Sequence, residues 1–181
     1  MDRQIKMIGA LCLLWVSFGF VSQAISASQG EGRVNMQGAI IDAACAIVTE
    51  SREQIIDMKN TTPADIARGA NGKSVPFSIE LVNCVLERAD KNFPDWKQFQ
   101  ITFDGHADGD AFGVNGEVSG VALKITDAAG NIALPGRPLP PMDIVVSGDY
   151  RMNFAMALVA NSQPLKVGSY FSSVRFKMDY Y

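Results

Sequence analysis

Few side chains of this sequence offer chemistry. His106 is the single histidine, and it sits in Asp104-Gly105-His106-Ala107-Asp108-Gly109-Asp110, where it alternates with Asp104, Asp108 and Asp110. Alternating oxygen ligands suit a hard cation, but the calcium loop of an EF-hand also needs a later bidentate glutamate, which is missing. A solvated loop is the reading that follows. His106 is equally the one candidate for a histidine base, and no Gly-x-Ser-x-Gly elbow accompanies it. The residues therefore predict no hydrolytic enzyme, no metal site and no cofactor. Of the three cysteines, Cys45 and Cys84 lie in the body of the chain. In an oxidising compartment they are predicted to pair. Two free thiols or a metal site are the alternatives, and a metal would need more ligands than one distant histidine supplies. Closing a loop of about 40 residues contributes roughly 3–4 kcal/mol in the chain-entropy account.

The compartment is argued from the N-terminus. Asp2, Arg3 and Lys6 precede an apolar run from Met7 to Val21 that contains Cys12, and small residues follow in Ser22-Gln23-Ala24-Ile25-Ser26-Ala27. A charged region, an apolar region and a small-residue cleavage site make a secretory signal over residues 1–27, cut after Ala24 or Ala27. The run is short of the roughly 20 apolar residues of a membrane span, and no later segment is apolar enough for one. Roughly 155 residues remain, the size of one domain. The full chain has 16 Lys+Arg against 19 Asp+Glu, a formal charge of −3. A mildly acidic chain without a basic cluster is not built for nucleic acid.

The elements that must carry these residues have a period of two. Tyr170, Ser172, Val174, Phe176, Met178 and Tyr180 alternate with Phe171, Ser173, Arg175, Lys177, Asp179 and Tyr181, the pattern of a strand with one buried face. Similar alternation marks strands at Tyr150–Leu158, Phe99–Phe103, Val121–Ile125 and Phe77–Leu81, the last running into Cys84. A first strand is expected to hold Val34, Met36, Ile40 and Ile41. Turns are expected at Asp104-Gly105, Asp108-Gly109, Asn115-Gly116, Asn71-Gly72 and Gly148-Asp149. Pro135, Pro138, Pro140 and Pro141 exclude a central strand there. One helical turn is expected at Ala64–Ala67 after Pro63. About seven short strands between turns give an all-β sandwich. The final strand keeps its apolar parity to the last residues, and such an edge invites pairing with another chain.

With these features the chain resembles the pilin subunits of chaperone–usher fimbriae. The resemblance rests on the early strand leading into Ala43-Ala44-Cys45, on Leu81-Val82-Asn83-Cys84, on Gly168 fourteenth from the end, and on the penultimate Tyr180. Gln54–Met58, Ile101–Gly105, Gly130–Ala133 and Met178–Tyr180 are similar to segments of minor subunits, including the terminator of P-type pili. The resemblance implies an incomplete immunoglobulin-like sandwich, the pilin fold, spanning 34–181 and completed by a donated strand. A periplasmic chaperone would lend that strand and an outer-membrane usher would exchange it for the extension of a neighbouring subunit. Gly168, Tyr170, Val174, Phe176, Met178 and Tyr180 would meet the donated strand, and the Tyr181 carboxylate would be held by the chaperone. Residues 28–36 would be this chain's own donor extension, with Gly32, Val34 and Met36 inserting. The expected product is a structural subunit, exported through the periplasm to a cell-surface fimbrium and contributing to adhesion, minor and in the narrowest reading the terminator. The alternative is a stand-alone secreted carbohydrate-binding sandwich, for which Trp96 would be the stacking aromatic, although packing against the sheet is favoured. Asn60-Thr61-Thr62 matches a glycosylation pattern by chance.

Overall fold

The computed structural model describes residues 33–38, 42–68, 73–144 and 148–181. The expected leader, Gly32, Ile40, Ile41 and Asn71-Gly72 lie outside them. The chain divides into two units, Met1–Ala39 and Ile40–Tyr181. In the first, residues 33–38 carry no strand, and Val34 and Met36 are exposed. This corrects the expected first strand over its described part. Alternation marks a face, but a strand also needs a partner, and these residues have none within the unit described.

The regular structure of the second unit is almost wholly strand. They are β1 (Ala46–Ile47), β2 (Ser74–Cys84), β3 (Gln98–Gly105), β4 (Ala107–Asp108), β5 (Ala111–Gly113), β6 (Asn115–Gly116), β7 (Val121–Asp127), β8 (Ile132–Ala133), β9 (Met142–Asp143), β10 (Gly148–Ala160), β11 (Tyr170–Phe171) and β12 (Val174–Tyr180). Short helices span Thr49–Arg52 and Pro63–Ala67. The second begins at the expected proline, and a reciprocal capping box between Thr62 and Asp65 fixes its start. Thr62 of the Asn60-Thr61-Thr62 triplet is thus a helix cap.

One sheet runs β1-β2-β10-β7-β5-β4 with β8 beside β7, and a second runs β12-β3-β9. All pairings are antiparallel. Phe99, Ile101 and Phe103 of β3 alternate inward and meet Ile79 and Leu81 of β2 and Met152 and Phe154 of β10 in one core. Phe103 stands edge-on to Phe154 at 5.2 Å and to Phe77 at 6.3 Å, joining the sheets through aromatic faces. Cys45 and Cys84 are disulfide-bonded with Cα atoms 4.1 Å apart, and both are buried.

Several expected turns are strand. Asp104-Gly105 continues β3, because Arg175 and Val174 of β12 pair with it in register. Gly148-Asp149 opens β10, with a register shift before Tyr150. Asn115-Gly116 is β6 and pairs with β11; Gly116 has φ +129° and a side chain there would run into the Ser169 carbonyl. In each case long-range pairing overrides a local turn preference. The proline-rich connection is irregular, yet Gly136 and Leu139 donate to the Phe103 and Ile101 carbonyls at 2.8 and 2.9 Å. It thereby covers one edge of β3 and leaves the other to β12.

Candidate functional site

The final strand is not continuous. Tyr170–Phe171 pairs with β6, residues 172 and 173 break the ladder, and Val174–Tyr180 pairs with β3. The break lets the chain pass from one small ladder to the other. Among the described residues β12 pairs on one side alone. Its burial carries the mark of an edge. Phe99, Ile101 and Phe103 are 1%, 0% and 2% exposed, whereas Val174, Phe176, Met178 and Tyr180 on the adjoining strand are only half-buried.

Alongside the unpaired edge lies a groove of about 1320 Å³. Its floor is apolar, with Phe77, Ile79, Phe103, Leu123 and Met156. One wall is Gly168–Phe176 and the other Ile47–Thr61. The second wall is moored to β2. The Glu80 amide donates to the buried Ser51 hydroxyl at 3.0 Å, Val48 donates to the Glu80 carbonyl at 3.0 Å, and the Gln54 amide donates to the Ser78 carbonyl at 2.9 Å. Asp57 and Thr61 of this wall lie near the Tyr170 hydroxyl, whose pKa burial pushes up, with Asp57 acting in the same direction. That hydroxyl is buried without a hydrogen bond of good geometry.

The candidate residues fall into two groups. Gly168, Tyr170, Val174 and Phe176 line the groove. Met178 packs against the core, and Tyr180 is engaged with the domain's own end: its ring meets Trp96 at 5.9 Å and its hydroxyl points to the Cys45 carbonyl at 3.4 Å. Tyr181 is held by backbone, one oxygen of its carboxylate accepting from the Lys97 and Gln98 amides at 2.7 and 3.1 Å. Val34 and Met36 belong to the other unit. The second wall is the part of the site that alternation missed, since Glu53–Thr61 carries no regular structure. Its available signal was the segment Gln54–Met58.

Three of the remaining chemical candidates, Trp96, Asp104 and Asp108, have structural partners. Trp96 is 6% exposed and its ring is covered by the Arg88 guanidinium at 3.4 Å, so it cannot stack on a sugar. Asp104 pairs with Arg175 at 3.2 Å and Asp108 accepts from Asn161 at 2.6 Å. An apolar floor, an unpaired strand edge and a moored far wall can receive an extended polypeptide, whose backbone completes the ladder and whose alternate side chains reach the floor.

No family model matches the chain. It is 32% identical over 152 residues, 83% of this chain and 77% of the relative, to the PRS fimbrial minor pilin protein of Escherichia coli. It is 33% identical over 172 residues, 91% and 93% of the two chains, to the Fimbria A protein of Serratia marcescens. The chain belongs to the chaperone–usher fimbrial pilins. It is a structural subunit of a cell-surface fimbrium and not an enzyme. The fold agrees: the P pilus rod subunit PapA superposes with a TM-score of 0.66 at 22% identity, covering 77% of this chain and all of that one. A chaperone–usher pilus structure gives 0.65 at 23% identity, covering 87% of this chain.

Proposed function

We propose that this pilin is short of one strand and borrows it, first from a periplasmic chaperone and then, at the outer-membrane usher, from the extension of a neighbouring subunit. The observation that carries this is the groove beside β12, whose apolar floor and unpaired backbone edge are costly to leave in water. Residues 1–27 are the leader removed on export, 28–36 the chain's own donor segment, and 34–181 the pilin domain. Gly32, Val34 and Met36 insert into a neighbour; Val34 and Met36 stand exposed on one parity. Gly168, Tyr170, Val174 and Phe176 meet the borrowed strand, with Met178 and Tyr180 extending its ladder and Tyr181 offering its carboxylate to the chaperone.

The subunit is a minor one, a reading supported by its identity to the PRS minor pilin and, at 31%, to the PAP fimbrial minor pilin protein of Escherichia coli, and its fimbrium serves adhesion. The terminator is the narrower role. It is favoured by the polar lining Asp57, Lys59, Asn60, Thr61 and Ser169, which offers little to an apolar side chain entering there. The test begins with co-expression. The chain alone aggregates and becomes soluble with its chaperone; unchanged solubility overturns strand borrowing. A donor peptide offered to the chaperone complex then separates the roles, since prompt chaperone release eliminates the terminator.

A further inference from the structure

Within Gly168–Phe176 the outward face of the groove's strand wall is polar or charged with one exception. Ser173, Arg175 and Lys177 are exposed, Arg175 pairing with Asp104 and Lys177 with Asp179. Phe171, on the same parity, is 65% exposed. On the opposite wall Ile55 is fully exposed. A single exposed apolar residue needs no explanation, but these two belong to the two walls of one groove.

They also stand at the same end of it. Phe171 follows Tyr170, whose hydroxyl lies close to Asp57 and Thr61, and Ile55 is two residues before Asp57, about 7 Å of extended chain. A strand laid between the walls turns alternate side chains to the floor and the others outward. Phe171 and Ile55 are then the lateral neighbours of an outward side chain at this level, where cross-strand partners touch.

We propose that Ile55 and Phe171 form a rim clamp that selects a donated strand by the side chain it turns away from the floor, favouring an apolar one between them. This rests on the strand-borrowing reading and adds a determinant outside the floor. The occupant is a strand of another polypeptide with a branched aliphatic or aromatic residue at that outward position. Such a residue removes two exposed apolar surfaces from water, whereas serine or aspartate there leaves both wet.

The test uses a set of synthetic donor strands with one inward sequence, outward positions all serine, and a single valine moved along them. Each is loaded by refolding the denatured subunit in its presence, a route that does not depend on exchange, and its dissociation rate is measured. Valine at one or two adjacent outward positions is expected to slow release about three- to tenfold, which corresponds to two cross-strand contacts of ordinary strength. In Ile55→Ser/Phe171→Ser the ratio of the all-serine to the valine-strand dissociation rate, taken within the variant, falls to about one. Equal rates for every valine position on the unmodified subunit, or an advantage that persists in the double variant, overturn the clamp and leave strand borrowing standing. Failure of every strand to bind overturns both.

Discussion

A β-carbon on Gly168 would stand 2.8 Å from the Glu117 Cβ and 3.0 Å from its carbonyl carbon. The chain passes this closely because Glu117 donates to the Ser169 carbonyl at 2.9 Å and Gly116 pairs with Tyr170. The glycine is needed for space at the point where the strand wall of the groove begins.

Gly168→Ala therefore has to push β6 and β11 apart. We expect a loss of about 1–3 kcal/mol, the usual scale for overpacking, read as a lower denaturation midpoint of the chaperone-bound or strand-complemented subunit. An unchanged midpoint would show that Glu117 yields freely. A larger side chain, Gly168→Val, is expected to lower the yield of complemented subunit further.

The Cys45–Cys84 bridge ties the start of the second unit to the end of β2 across 39 residues. Both half-cystines are buried beside Ala44 and Leu81. Replacing both by serine is expected to cost about 2–5 kcal/mol, and urea denaturation of the oxidised and double-serine forms measures it. A difference below about 1 kcal/mol would mean that packing alone holds this corner.

Most of the fold was legible because burial follows the alternation of residue types. Phe99, Ile101 and Phe103 read as one inward face and are one. Tyr170 to Tyr180 read as one face of one strand; the face is present, with its even residues half-buried, but the strand is two, because Gly116 captures Tyr170 from a distance no local pattern encodes. Asp104-Gly105 misled for the same reason. The far wall was least legible: Gln54 and Ser51 fasten it through single hydrogen bonds to β2, and such contacts leave no period in a sequence.

Burial raises the Tyr180 pKa above its ordinary value. The unfolded chain titrates near pH 10, so between that pH and the folded value only the unfolded state has lost its proton. Stability is accordingly complete below about pH 10 and falls as pH rises through the raised folded pKa. Tyr170 shifts the same way. Tyr180→Phe removes one contributor, and its long hydrogen bond to Cys45 should cost about 1 kcal/mol or less. Urea midpoints followed into alkali should decline less steeply for the variant. A decline as steep as in the unmodified protein would refute the assignment.

Phe103 joins the groove to the core, and its removal should be felt in both. Its ring is 2% exposed and packs on Phe154, Phe77 and, at 6.3 Å, Phe176 of β12. Phe103→Ala empties the centre of the floor, at an expected cost of about 3–5 kcal/mol, a large share of the 5–15 kcal/mol that a domain has. Because a borrowed strand gains from the same floor, the variant should also release a donor peptide faster. Ile55→Ser, on the rim and fully exposed, should change the stability of the domain by no more than about 0.5 kcal/mol. Denaturation of the two variants, each complemented by the same peptide, compares floor with rim directly. Equal losses for Phe103→Ala and Ile55→Ser would mean that the floor contributes no more than an exposed surface position, and the groove would cease to be the site.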